Sequence, residues 1–456
     1  MGMKALTIGE AADAVGGRFV GDGKTLHSAV AGVVKDDREA FEGCLFVCVK
    51  GQRADGHDFY GAARSRGAVC ALAERAPAGG GDHILVESTL AALRALAAHY
   101  RRKFNMPIIG VTGSVGKTTA KEMIAAVLGT RYNVHKTPMN LNNEIGVPLT
   151  LLSMREEHTA AVIEMGISDC GEMGRLAEMA RPTHCVMTSI GRCHLDTLGD
   201  LDGVLRAKSE IFEYMPRGSI AVVNGDDSHL RDLRLGPGIR KLTYGTGAGL
   251  DFRAENVATR GTRGITCDIV TGAEHFAAEI PAFGAHFVSA ALAAAAVGSL
   301  LGATGAETAR GLLEYRPVSG RADVMYTGKL TVIDDCYNAN PDSVAASLRA
   351  LCSLPGRRVA ILGDMNELGP RSDALHRETG LLAAELGVDC LICCGERAEM
   401  IYKGFISSGR ESEGYHFPFK DALLSRLPGL VKPGDCVLVK ASHSHNFGVI
   451  TAALML

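Results

Sequence analysis

The chain is expected to be an α/β protein of three domains, and three observations predict this. Its 456 residues leave room for about three domains at about 150 residues each. From Pro107 onward, short apolar runs alternate with helix-like stretches, the pattern of a mostly parallel sheet flanked by helices. The same alternation restarts after the loop Arg316-Pro317-Val318-Ser319-Gly320, which predicts a third unit built as another open α/β sheet.

Residues 1–105 read as a small mixed α/β domain. Strand-like runs at Leu45 to Val49 and His83 to Val86 lie among Gly/Asp turns, followed by a periodic helix from Thr89 to Tyr100. Arg101, Arg102 and Lys103 close that helix, as cations favour a helix C-terminus. Residues 106–317 form the expected central domain, with strands in IIGVTG, AAVIEMG, CVMTSIG and SIAVVNGDD. The uncharged stretch between His286 and Glu307 is Ala-rich, too weakly apolar to prefer lipid, and reads as a buried helix. Residues 318–456 place strands at LTVIDDC, RRVAILGD, DCLICCG and CVLVKAS, with helices over Ser343 to Leu354 and Ser372 to Leu386.

Composition narrows the function. With 46% hydrophobic and 22% charged residues, the chain is expected to fold rather than stay disordered. A net charge of −3 without a long basic tract gives no footing for general binding to nucleic acid, and no stable membrane insertion is expected. The N-terminus lacks a signal-peptide core, and 13 cysteines at irregular spacing fit a reduced cytoplasm. Cys390 and Cys393 form a CxxC, but no second pair stands at zinc spacing, so the run reads as a core strand. Monomer is the default expectation. The 55 glycines are the unusual feature, because glycine allows tight turns and close approach of backbone to a ligand.

Those glycines lead to the strongest motif. Gly110 to Thr118 meets GxxxxGK[ST] after an apolar strand and before a helix whose apolar residues Ala120, Met123, Ile124, Val127 and Leu128 fall at helical spacing. Backbone N–H groups of Gly113, Ser114, Val115 and Gly116 can approach phosphate oxygens, Lys117 can neutralise them, and the Thr118 hydroxyl suits Mg²⁺, with Thr119 following in the same turn. A purely structural Gly-rich turn has no need of the Lys-Thr pair. A nucleoside triphosphate site, for ATP with Mg²⁺, is therefore expected. Open sheets bind ligands beyond their strand C-termini, which draws in Glu164 after AAVIE and His194 after CVMTSIGRC; Lys208 lies on a helical segment. Taken singly, each has a plainer reading as a solvated carboxylate, a structural histidine and a surface lysine. As an ammonium, Lys208 would repel a metal.

With these segments in view, the chain resembles the Mur ligases over nearly its whole length. The resemblance rests on TGSVGKTTAKEM (112 to 123), NLNNEIGVPLTLL (140 to 152), EMG (164 to 166), AKSEIF (207 to 212), YNANPDS (337 to 343) and GDMNELG (363 to 369). NNEIGVP and YNANPDS favour the member that adds D-alanyl-D-alanine (D-Ala-D-Ala) to UDP-N-acetylmuramoyl-tripeptide (UDP-MurNAc-tripeptide), and no DNPR-like motif of the diaminopimelate- or lysine-adding member is found. The resemblance implies a Rossmann-like C-terminal sheet and an ATP-dependent ligase acting through an acyl phosphate in peptidoglycan precursor synthesis. It also implies roles. Lys117, Asn142, Asn143, Glu164, His194 and Lys208 would be catalytic, with Thr118, Glu164, His194 and a carbamylated Lys208 holding metal. Arg321 and Asp335 would reach the nucleotide, and Arg38, Asp55, His57, Asn338 and Asn340 the substrates. Asn340-Pro341 is also a sound helix start.

The chain departs from the family pattern at three places. Phe287 and Ala290 replace an asparagine pair expected beside the nucleotide, Asp36-Asp37-Arg38 replaces a DSR near the uridine diphosphate, and Lys440-Ala441-Ser442-His443 replaces KGSR. His443 cannot supply a guanidinium fork. Two alternatives therefore stand beside D-Ala-D-Ala addition: a Mur-type ligase with another acceptor or nucleotide sugar, and a nucleotide-binding scaffold without turnover.

Overall fold

The computed structural model describes residues 3–51, 53–409 and 413–456; Gln52, in the GQRADGHDF segment, lies outside the described residues. Three sheets follow one another along the chain. The first has the order Arg18–Val20, His83–Leu85, Cys70–Ala73, Cys44–Val47, Gly32–Val34, parallel except at the Arg18–Val20 edge. Cys44–Val47 and Cys70–Ala73 are buried along their whole length, as expected of parallel strands covered on both faces. The two-residue alternation of a strand decides the partners. Leu45, Val47 and Leu72 join the core of helix Thr89–Arg101 through Leu93 and Leu96, whereas Phe46 and Ala71 join Tyr60 and Ala63 of helix Tyr60–Ser65.

Helix Thr89–Arg101 also ties this sheet to the next. The Tyr100 hydroxyl donates to the Met154 carbonyl at 2.8 Å, and the buried Arg101 guanidinium donates to Ala180 O at 2.9 Å and to Phe104 O at 2.7 Å. The basic cluster at this helix end is thus partly internal.

The central sheet has nine strands, running from His275–Ile280 through Ile265–Val270, Phe252–Thr259, Arg240–Gly245, Ile220–Asn224, His184–Met187, Ile108–Thr112 and Ala160–Glu164 to Val134–Lys136. It is parallel from Val134–Lys136 to Phe252–Thr259, and the last two pairings are antiparallel. The Ala-rich stretch is helix Phe287–Leu300; its small side chains let it pack closely on helix Lys117–Leu128, which follows the phosphate loop.

The third sheet has the order Asp323–Tyr326, Thr331–Asp334, Cys436–Lys440, Arg358–Gly363, Cys390–Cys394, Gly414–Phe417. All its pairings are parallel except the Asp323–Tyr326 edge. The CxxC lies in the buried strand Cys390–Cys394, where burial pushes the Cys390 thiol up to about 11 and the Cys393 thiol well above the usual range. Those cysteines behave as core residues. Helix Pro341–Cys352 begins with a capping box between Asn340 and Ser343 and with Pro341 in its first turn.

Candidate active site

The central and C-terminal sheets face each other across a cavity of about 500 Å³. On the central side the phosphate loop follows strand Ile108–Thr112. Gly110 is buried inside that strand, so the loop proper begins at Gly113. There φ is +139°, and an added Cβ would lie 2.0 Å from Thr188 Oγ1, so no other residue fits. Helix Lys117–Leu128 starts from Gly116, which turns the first N–H groups toward the cavity. The Lys117 ammonium donates to Gly113 O at 2.7 Å, and its burial lowers its pKa.

Glu164, at the C-terminal end of strand Ala160–Glu164, is only 1% exposed. Its Oε1 accepts from the Thr118 hydroxyl at 3.1 Å and from Asn142 Nδ2 at 2.8 Å, whereas its Oε2 has no hydrogen-bond partner. A buried carboxylate with an unspent oxygen is costly unless a cation compensates it. Here the nearest is Lys121 Nζ, 3.7 Å from Oε2.

Lys121 was not singled out by sequence, although its i+4 spacing from Lys117 was a usable signal. It is fully buried, donates to Thr137 O at 2.9 Å and Met139 O at 3.2 Å, and pairs with Glu122 at 3.0 Å. Thr137 in turn accepts the Glu164 N–H at 2.9 Å through its hydroxyl. Lys121 thus anchors the segment leading to the two asparagines. These two differ: Asn142 reaches Glu164, but the side chain of Asn143 accepts from Ile145 N at 3.2 Å and Gly146 N at 2.9 Å, which starts helix Gly146–Leu152.

His194 has φ +51°, a strained backbone for a non-glycine residue, and its Nδ1 lies 2.6 Å from Oε2 of Glu367 in the C-terminal domain, which holds the Glu367 carboxyl below its usual range. Lys208 on helix Leu201–Ser209 is fully buried, and burial lowers its ammonium to about 8.

The C-terminal side brings Arg321, whose guanidinium lies over the Tyr337 ring at 4.0 Å, with His443 on the same ring at 5.1 Å. Asp335 accepts from Lys440 Nζ at 2.6 Å and from the Ser347 hydroxyl at 2.5 Å. Lys440 also donates to Asn338 O at 3.0 Å. Asn340 caps its helix, and the Asn338 side chain accepts from Ala339 N. All these residues border the cavity. Lys440 and Tyr337 were also missed as individual site residues; a lysine ending the apolar run CVLV was the available signal.

Arg38, Asp55 and His57 do not reach this cavity. Arg38 makes a two-pronged contact with Asp36, whose carboxyl it holds below its usual range. Asp55 accepts from His57 N at 3.0 Å and lies 2.6 Å from His57 Nδ1, while His57 Nε2 accepts from Glu74 N at 2.9 Å. Asp37 pairs with Arg66 at 2.9 Å. Phe287 and Ala290 are buried, and the Phe287 ring borders the cavity 4.6 Å from His286.

A phosphate loop, a half-satisfied buried carboxylate and a second α/β domain closing over both define an ATP-using ligase site of the Mur type. The chain belongs to the Mur ligase family: residues 111–298 match the Mur ligase middle domain, and residues 320–443 match the Mur ligase glutamate ligase domain. It is 35% identical to the UDP-N-acetylmuramoyl-tripeptide--D-alanyl-D-alanine ligase of Bacillus subtilis (strain 168), over 94% of each chain. It is also 35% identical to that of Escherichia coli (strain K12), over 99% of each. A crystal structure of MurF from Acinetobacter baumannii superposes with a TM-score of 0.91 at 29% identity, covering 100% of both chains. The ADP complex of MurF from Thermotoga maritima gives 0.83 at 30% identity, covering 93% of this chain and 97% of that one. ATP is the nucleotide this family of amide ligases uses. No helix among the described residues is long and apolar enough to cross a membrane.

Proposed function

We infer that the protein is the ligase that adds D-Ala-D-Ala to UDP-MurNAc-tripeptide at the expense of ATP. The observation that carries this reading is the single cavity shared by the phosphate loop, Glu164 and the YNANPDS segment, in a chain alike over nearly its full length to ligases of that name. The terminal carboxylate of the tripeptide attacks the γ-phosphorus, the bond to the bridging oxygen breaks, and ADP leaves an acyl phosphate behind. The dipeptide amine then attacks the acyl carbon, loses a proton and expels phosphate.

Both steps crowd negative groups, so the residues assigned here work by alignment and charge neutralisation. The N–H groups of Gly113 to Gly116 and the Lys117 ammonium hold the phosphates. Thr118 and Glu164, hard oxygen donors with one unpartnered carboxylate oxygen, suit Mg²⁺. When bound, that ion would neutralise phosphate charge. Asn142 orients Glu164. His194 is assigned to a second ion together with Lys208, whose depressed pKa makes neutral amine available for carbamylation. Residues 1–105 are assigned to the nucleotide sugar with Arg38, Asp55 and His57, residues 106–317 to ATP, and residues 318–456 to the acceptor with Asn338 and Asn340. Arg321 and Asp335 border the nucleotide.

The test is phosphate release coupled to mass spectrometry of the product. Release that needs ATP, Mg²⁺, UDP-MurNAc-tripeptide and D-Ala-D-Ala together, and that is lost in Lys117→Ala, is the expected result. No release from fresh enzyme would sink the reading. His443 on Tyr337, in place of an arginine, favours a second reading with a different acceptor. A panel of dipeptides in which only a partner other than D-Ala-D-Ala reacts would establish it.

A further inference from the structure

Arg192 plays no part in the chemistry above, yet it makes the most elaborate contact between the central and C-terminal domains. Its Nη2 and Nε donate to Asp342 Oδ1 at 2.6 and 3.0 Å, and its backbone N–H donates to Oδ2 of the same carboxylate at 2.6 Å. Nη1 reaches Glu378 at 3.3 Å. A carboxylate held by a guanidinium and a main-chain N–H together is fixed in direction as well as distance, unlike an ordinary surface pair. The fit is close: a Cβ on neighbouring Gly191 would come 2.6 Å from Asp342 Oδ2.

Each end of this contact leads straight into the site. Gly191 N donates to the Ser114 hydroxyl at 2.8 Å, and Ser114 N donates to Ser189 O at 2.8 Å, so the loop carrying Arg192 is hydrogen-bonded to the phosphate loop. Asp342 stands in the first turn of helix Pro341–Cys352, directly after Asn338 and Asn340, and Ser347 of that helix donates to Asp335.

We propose that Arg192 is a positioning residue whose fork on Asp342 holds the C-terminal domain against the phosphate loop in the arrangement that completes the site. Without it the two halves of the cavity are each intact but no longer in register. The kinetic arm of the test rests on the ligase reading; the scattering arm does not. Arg192→Ala is expected to lower kcat by about 100-fold, the scale of an ångström-level misplacement. KM for ATP should stay within about threefold and the melting temperature unchanged, since the phosphate loop itself is untouched. Arg192→Lys should fall between the two, and Asp342→Asn should resemble Arg192→Ala. Small-angle scattering with a non-hydrolysable ATP analogue should give a larger radius of gyration for Arg192→Ala than for the parent. The double charge exchange Arg192→Asp with Asp342→Arg should recover about tenfold over either single change. A turnover within about threefold of the parent with unchanged scattering would overturn the proposal. So would a loss of kcat matched by a fall in melting temperature that Arg192→Lys does not repair. If the parent turns over no substrate, the ligase reading fails, and the scattering comparison still decides the role of Arg192.

Discussion

The floor of the central cavity and the ends of the inner strands Cys44–Val47 and Cys70–Ala73 of the N-terminal sheet both carry polar side chains, but they use them differently. Around His57 every ring nitrogen is committed: Nδ1 to Asp55 and Nε2 to the Glu74 N–H. Asp55 lies in a closed knot with His57 and Arg75, and its carboxyl is driven below its usual range, first by the His57 N–H. Around Glu164 the commitments stop short, leaving one carboxylate oxygen without a hydrogen bond. Burial of polar groups is tolerated when their valences are filled, so unfilled ones mark where a ligand belongs. Polarity alone would have ranked the two regions together.

Removing a framework cation from beneath the cavity is the severest way to break this contrast. Lys121→Met leaves the Thr137 and Met139 carbonyls unpaired and Glu164 without its nearest positive charge. We expect a loss of about 3–5 kcal/mol in denaturant unfolding, as for a buried pair deprived of one partner, and residual turnover that added Mg²⁺ does not restore. Unchanged stability would show that the pocket beneath Glu164 is as adaptable as the N-terminal edge.

A smaller effect should come from a satisfied site under acid. The rings of His135 and His158 lie 4.8 Å apart; His135 Nε2 donates to Thr150 O, and burial holds its pKa down to about 4. His158 is lowered by burial as well. His135 therefore stays neutral in the folded protein over a pH range in which it charges when unfolded, and His158 is shifted in the same direction. The folded state then binds fewer protons than the unfolded state, so stability contributed here is present above about pH 6.5 and is lost as pH falls toward 4. The loss from His135 should reach no more than about 3 kcal/mol. His135→Gln should flatten that part of a melting-temperature profile; an unaltered slope would assign the acid sensitivity elsewhere.

The smallest change is expected at the N-terminal edge. Asp37→Ser releases Arg66 and removes a carboxylate near the proposed diphosphate position, without touching the core. Its pair with Arg66 is exposed, so melting should shift by less than about 1 kcal/mol equivalent. KM for the nucleotide sugar should fall by about two- to fivefold, as repulsion between like charges is removed. A rise in KM would mean that Asp37 is itself a binding group, and the contrast with the cavity would weaken.

Much of the fold was legible because its signals are local. The parallel strands appear as unbroken apolar runs, the phosphate loop as a fixed spacing between strand and helix, and Asn340-Pro341 as a helix start. The cavity lining was legible where a strand ends in a chemically suitable residue, as at Glu164, and in the loop that follows the next strand, which carries His194. It was not legible where a residue serves by reaching across the chain. Lys121, Lys440 and Arg192 look like surface cations in one dimension, because their partners Thr137, Asp335 and Asp342 are 16, 105 and 150 residues away. Asn143 was legible in its motif and borders the cavity, but only the structure shows that its Oδ1 accepts the N–H groups that start a helix.

What the sequence determined by itself was the inventory: an α/β chain, a phosphate loop, and family membership carried by short motifs whose spacing is set by strand and helix geometry. Only the tertiary structure decided which polar atoms remain free, since that depends on what every other part of the chain has already claimed. It also decided that Gly110 belongs to a strand, that Asn142 and Asn143 part company, and that an arginine beside the phosphate loop grips the helix after YNANPDS. Hydrogen-bond capacity is written residue by residue, but its remainder exists only after folding has brought distant donors and acceptors together.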